Sequence, residues 1–184
     1  MRAPILLATA CLLSATLIRA QAPVQGPMAP EPPPTYELDK NGKRAHIDFT
    51  LNVKPISDPT MQFSKYAGHK TLVFYFSAVC PHCQHAFPFV QKLADSLASK
   101  GVPTVAIAIK YNTDEDIFTF AQKFNAHMPI FQDDDRTFGD AYGTGFVPML
   151  LLINEKGEYI RYKSFDENQT PLWILKQAAM MGKK

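Results

Sequence analysis

Cys80 and Cys83 stand three positions apart with Pro81 and His82 between them. Two thiols at that spacing suit thiol–disulfide exchange, in which one thiolate attacks a disulfide sulfur and the second thiol resolves the mixed disulfide that results. A free cysteine titrates at about 8.5, so an efficient exchanger must stabilise negative charge on the attacking sulfur. The chain places Cys80 where an apolar run ends and a helical pattern begins, and unpaired N–H groups and the dipole of a first helical turn favour an anion there. His82, protonated or donating its N–H, adds to that effect. Pro81 near the helix start costs no hydrogen bond. Cys83, one turn further in, is less accessible. The expected roles are attack by Cys80, release by Cys83, and a Cys80–Cys83 disulfide in the oxidised protein.

The rival chemistry is metal binding, since Cys80, His82, Cys83 and His85 offer soft and borderline ligands suited to copper within six residues. His82 and His85 leave the helix in different directions, and no second Cys-x-x-Cys exists, so exchange is the stronger reading and no metal or other cofactor is assigned. A peroxidase would need threonine at position 77, which is Ser77. His46, His69 and His127 have no partner at ligand spacing. Asp133-Asp134-Asp135 lacks the glycine and closing glutamate of a calcium loop and reads as a solvated turn and helix cap.

The elements that must position the cysteines follow from periodicity. Residues 71–77 are β-branched and aromatic without polar alternation, as in a central strand buried on both faces. Phe87, Val90, Leu93, Ala94 and Leu97 recur at helical spacing up to Lys100-Gly101, with a kink expected at Pro88. A strand over 102–109, a helix over 114–124 with Ile117, Phe118, Ala121 and Phe124 as its inner face, and a short strand over 129–132 come next. Asp135 caps a brief helix over 136–142. Residues 149–153 and 159–163 read as a hairpin, and 171–181 as the last helix, where Trp173 packs. Upstream, 36–38 and 45–49 flank Asn41-Gly42 as a hairpin, and 62–68 form a short helical turn. Strands alternate with helices and then pair in a hairpin, which gives an α/β fold with a mixed sheet covered on both faces.

Residues 1–20 have the basic start, apolar centre and small-residue end of a secretion signal, with cleavage expected after Ala20. The span from Ala3 to Ile18 is short for a membrane crossing. Residues 21–35 carry six prolines and read as an extended spacer, leaving 36–184 as the folded domain. Removing Arg2 and Arg19 from the 19 basic residues balances the 17 acidic ones, so the mature chain lacks the basic footprint of a nucleic-acid binder. Cleavage also removes Cys11. The remaining pair, too close in sequence to staple a fold, suits exchange in an oxidising compartment.

Over about residues 36–182 the chain resembles the thioredoxin superfamily, and within it the exported TlpA/ResA-like branch. The likeness is carried by residues 72–83, by Pro88, by 129–135 and 141–143, and by Val147-Pro148 leading into 150–154 and Gly157. It implies a thioredoxin fold with an N-terminal β-hairpin extension and a central αβ insertion over 114–132. It further implies that Pro148 is a cis-proline facing the cysteines and that the backbone of Val147, with Pro81, meets an extended substrate segment. The Pro-His pair is that of DsbA and favours the oxidase or isomerase direction. The chain departs from relatives of this kind at Phe74, where thioredoxin has a buried acid, at Ala86, where ResA-like proteins carry glutamate, at Met149 and at Val79.

The expectation is a periplasmic protein-disulfide oxidoreductase that acts on protein thiols or disulfides and is reset by a membrane redox partner. The alternatives are a thioredoxin-like reductant of the cytochrome c maturation type and a copper-binding thioredoxin-like chaperone. Nothing in the sequence fixes the oligomeric state.

Overall fold

Because Thr71–Phe76 is apolar or β-branched at every position, it has no face to offer to water, and it forms a fully buried strand at the centre of the sheet. The computed structural model describes residues 32–181; the expected secretion signal and most of the expected spacer lie outside them. The elements in chain order are β1 Lys54–Pro55, β2 Thr71–Phe76, α1 Pro81–Ala98, β3 Thr104–Ala108, α2 Asp114–Lys123, β4 Ile130–Gln132, α3 Thr137–Tyr142, β5 Met149–Ile153, β6 Tyr159–Tyr162 and α4 Thr170–Met180. A 3-10 turn occupies Phe63–Tyr66.

The six strands form one sheet in the order β1-β4-β3-β2-β5-β6. β2, β3 and β4 run parallel, while β1, β5 and β6 are antiparallel to their neighbours. Strand alternation divides the core in two. Leu72, Phe74 and Phe76 of β2 and Leu150 and Leu152 of β5 face the side covered by α1, α2 and α4. Val73, Tyr75, Met149, Leu151 and Ile153 face the side covered by α3, the 3-10 turn and residues 45–53. This is a thioredoxin-like fold.

α1 forms because Pro81 opens it at no hydrogen-bond cost and because Phe87, Val90, Leu93, Ala94 and Leu97 make one buried stripe. It continues through Pro88 to Ala98 as a single element. α2 starts at a capping box, in which the Thr113 hydroxyl accepts from the Asp116 N–H and the Asp116 carboxylate accepts from the Thr113 N–H.

Four expectations need correction. The N-terminal hairpin is shorter than expected: its arms meet through a Leu38–Arg44 bridge and hydrogen bonds from the Asp39 and Ala45 N–H groups to the Lys43 and Glu37 carbonyls, around a turn with Gly42 at φ 74°. Both arms also lean on the sheet edge, where Tyr36 bridges Ile160, His46 bridges Glu158, and Arg44 pairs with Glu158 at 2.7 Å. β1 was not foreseen, because two residues carry no period; it exists by pairing with β4. In α2, Phe120 rather than Phe118 joins Ile117 in the core, and Phe118 is 59% exposed, since the helix is rotated to pack Phe120 against Phe76 and edge-to-face with Phe87. The acidic turn before α3 is not solvated throughout: Asp133 is fully buried.

Candidate active site

The end of β2 delivers the chain to a turn at Ser77, where the Cys80 N–H donates to the Ser77 carbonyl at 3.2 Å. Cys80 then takes the N-cap of α1 with extended backbone, φ −78° and ψ 122°. Its thiol is half-buried, with Sγ 4.0 Å from the carbonyl oxygen of Val147. The Val147–Pro148 peptide that precedes β5 is cis. Cys83 lies one turn into the helix at 0% exposure, and its Sγ accepts from the Ser77 N–H at 3.4 Å. Both cysteines are free thiols in this structure. An accessible sulfur beside a backbone carbonyl, with a second sulfur buried behind it, is the arrangement that two-step exchange requires.

Burial pushes the Cys83 thiol up to about 12, because the low-dielectric core penalises the thiolate; the Ser77 N–H opposes this and the neighbouring Cys80 adds to it. Among the described residues no carboxylate hydrogen-bonds to the Cys83 sulfur to accept its proton. Phe74, where thioredoxin has its acid, stacks on Phe76 at 5.2 Å between ring centroids and approaches Phe87 at 6.0 Å. Ala86 is likewise buried in the core.

The structure thus brings Cys80, Cys83, Val147 and Pro148 together. His82 is exposed and, among the described residues, hydrogen-bonds to neither sulfur; it lines a hollow of about 260 Å³ with His85, Phe146, Val147, Pro148 and Phe165. His85 turns from the cysteines to Glu167 at 3.0 Å. Among the described residues no group of three or more His, Cys, Asp or Glu side chains is arranged to hold a metal ion. On the other side of Val147, Tyr111, Arg136 and Phe146 border a second hollow of about 230 Å³. Phe146 is 78% and Tyr111 73% exposed, and Val79 is exposed beside Cys80.

Comparison with known proteins places the chain in a family. The family model described as Redoxin matches residues 40–178. The chain belongs to the Redoxin family. Its relatives include the thiol-disulfide oxidoreductase ResA of Halalkalibacterium halodurans, 26% identical over 127 residues, which is 67% of this chain and 68% of that protein. The sporulation thiol-disulfide oxidoreductase A of Bacillus subtilis is 26% identical over 99 residues, covering 52% of this chain and 59% of that one. The match therefore spans between 59% and 68% of these two relatives. Among solved structures, a putative thiol:disulfide interchange protein DsbE from Chlorobium tepidum aligns with TM-score 0.64 at 18% identity, over 77% of this chain and 99% of that one. StoA from Bacillus subtilis aligns with TM-score 0.56 at 22% identity, over 67% and 94%.

Several polar residues of this redoxin's site escaped the sequence reading. Gln84 Nε2 donates to the Ala78 carbonyl at 2.8 Å while its Oε1 accepts from Lys123 Nζ at 2.8 Å, tying the cysteine turn to α2. Buried Asn112 holds the same turn from the β3–α2 loop. Asn112 stands far from the motif in sequence, and its one local signal is a polar residue at the end of an apolar strand just before the Thr113 cap.

The raised Cys83 thiol ties stability to pH. Above about 9 the unfolded chain loses this proton while the folded protein keeps it, so the stability it contributes is full below about 9 and is lost as pH rises towards about 12. Urea midpoints of the reduced protein are therefore expected to fall more steeply between about pH 9 and 11 than those of Cys83→Ala. The difference isolates Cys83 from the buried tyrosines Tyr75 and Tyr162, which burial also raises. Parallel pH curves for the two proteins would refute the assignment.

Proposed function

We propose that this redoxin is an exported protein thiol–disulfide oxidoreductase working through Cys80 and Cys83. The observation that carries the proposal is the half-buried Cys80 sulfur at the N-terminus of α1, 4.0 Å from the Val147 carbonyl, with the Cys83 sulfur buried behind it. The relatives ResA and the sporulation oxidoreductase are thiol-disulfide oxidoreductases, which supports this activity.

In the reductive direction the Cys80 thiolate attacks one sulfur of a client disulfide. The Cys80–client bond forms, the client disulfide breaks, and the second client sulfur leaves as a thiolate that takes a proton from water. Cys83 then gives up its proton and attacks the Cys80 sulfur, forming the Cys80–Cys83 disulfide and releasing the client as a dithiol. The same steps reversed oxidise a client dithiol. Val79, Phe146 and Tyr111 offer an apolar rim around the reacting sulfur, and an extended client segment gains main-chain hydrogen bonds by lying against Val147. His82, Pro81 and Pro148 border that contact. Residues 1–20 export the chain, 21–35 space the domain from its point of attachment or release, and a membrane redox partner resets the pair in the periplasm. Among the described residues no helix is long and apolar enough to cross a membrane.

The Pro-His pair favours the oxidase or isomerase direction, because stabilising the thiolate stabilises the reduced protein and makes its disulfide the stronger oxidant. The second reading, a reductant of the cytochrome c maturation type, fits the likeness to the ResA-type thiol-disulfide oxidoreductases as well. Equilibration of the Cys80–Cys83 pair with glutathione couples separates the two. A reduction potential near about −120 mV is expected for an oxidant, whereas about −270 mV would establish the reductant. Failure of the pair to equilibrate at all would refute exchange.

A further inference from the structure

Cys83 must pass through a thiolate in every turnover, as attacking group in one direction and leaving group in the other. Its sulfur is fully buried, and its one hydrogen-bond donor among the described residues is the Ser77 N–H at 3.4 Å. That N–H points at the sulfur only while the Ser77–Ala78 stretch keeps its course, and Asn112 grips both residues. Asn112 Oδ1 accepts from the Ala78 N–H at 2.9 Å, and Asn112 Nδ2 donates to Ser77 Oγ at 3.3 Å. Asn112 is itself held: it is 3% exposed, its N–H donates to the Ile109 carbonyl at 3.1 Å, and its carbonyl accepts from Gln132 Nε2. A buried amide with its oxygen and an amide hydrogen bonded to consecutive residues is a rigid clamp.

We infer that Asn112 is a positioning residue for the resolving step, holding the Ser77 N–H on the Cys83 sulfur so that a peptide N–H offsets part of the burial penalty on the thiolate. The inference rests on the exchange reading of the Cys80–Cys83 pair. Hydrogen bonds to a charged group are the strong ones, and the raised Cys83 thiol leaves room for a lost donor to slow the chemistry at neutral pH. Losing that bond moves a thiol upward by about one pH unit, which lowers the thiolate fraction about tenfold. The more basic thiolate is intrinsically about threefold more nucleophilic, so the net slowing of the attack is about threefold.

The test uses the reduced protein mixed with 5,5′-dithiobis(2-nitrobenzoate) in a stopped-flow instrument. Attack by Cys80 breaks the reagent's S–S bond and releases one coloured thiolate. Attack by Cys83 on the resulting mixed disulfide closes Cys80–Cys83 and releases the second. In Asn112→Ala the second phase is expected to slow about threefold at pH 7 while the first stays within about twofold. Val105→Ala, a truncation on the opposite face of the sheet, controls for lost stability and is expected to leave both phases unchanged. Unchanged phases in Asn112→Ala, proportional slowing of both phases, or equal slowing in Val105→Ala would each overturn the inference. Absence of a second release from the unmodified protein would instead overturn the exchange reading. If Asn112→Ala does not fold, Ser77→Ala decides, because it cuts the Nδ2 link and keeps the N–H: slowing confined to the second phase sustains the inference, and no slowing overturns it.

Discussion

Cys80→Ser is expected to bring exchange down to the uncatalysed rate, while Cys83→Ser is expected to keep the first half-reaction and accumulate mixed disulfides with client proteins. The asymmetry follows from where the two sulfurs sit. Cys80 is the thiol within reach of a client laid against Val147, and a serine hydroxyl there neither ionises near neutral pH nor forms a disulfide. Cys83 at 0% exposure meets no client directly, so its loss leaves attack intact and removes only the intramolecular route of escape. Insulin reduction in the presence of a thiol reductant measures the first outcome. Non-reducing gels of an extract incubated with Cys83→Ser, run with and without dithiothreitol, measure the second. Turnover retained in Cys80→Ser, or mixed disulfides carried by Cys80→Ser instead of Cys83→Ser, would reverse the roles.

Much of the scaffold was legible because it is written in periodicity. The apolar run of β2, the three-and-four spacing from Phe87 to Leu97, and the turn Asn154-Glu155-Lys156-Gly157 between β5 and β6 each fix a local structure that tertiary packing then uses. Where local preference and tertiary demand part, the reading went astray. Asn41-Gly42 sets up its turn and the arms meet, with Arg44 over the Tyr36 ring at 4.1 Å, but local pattern gives no sign that both arms also rest on the β6 edge. Phe118 and Phe120 are indistinguishable by composition, and only the position of Phe76 and Phe87 selects Phe120 for the core.

At the site, the cysteine pair and the Val147-Pro148 step were placed from short-range pattern and family likeness. The polar clamp was not, because hydrogen-bond partners such as Ala78 and Asn112, or Gln84 and Lys123, are 34 and 39 residues apart and leave no periodic trace. Phe74 illustrates the converse. Its identity already said that a proton-accepting carboxylate is missing beside the resolving thiol, but the backbone N–H that meets the sulfur, held by a distant amide, is a property of the fold.

Asp133 yields the largest expected loss of stability. Its sequence context of three consecutive aspartates reads as a solvated turn, and two of them are exposed. Asp133 points inward instead: Oδ2 accepts from the Tyr75 hydroxyl at 2.9 Å and from the Gly139 N–H at 2.8 Å, and Oδ1 accepts from the Phe138 N–H at 2.9 Å. One carboxylate thereby joins the end of β4, the C-terminal end of β2 and the first turn of α3. Gly139 is part of the same fit, since a Cβ there would collide with the Tyr75 hydroxyl. Asp133→Ala strands a buried hydroxyl, a buried N–H and a part-buried N–H, the buried ones costing about 1–3 kcal/mol each when unsatisfied, so a loss of about 3–5 kcal/mol is expected once partial entry of water is allowed for. Asp133→Asn keeps the shape and one accepting oxygen but sets an amide N–H against a donor, and it is expected to lose about half as much. Urea unfolding of the reduced proteins measures both. A loss under about 1 kcal/mol in Asp133→Ala would mean that the turn relaxes to reach water and that α3 is held by Phe138 and Tyr142 alone.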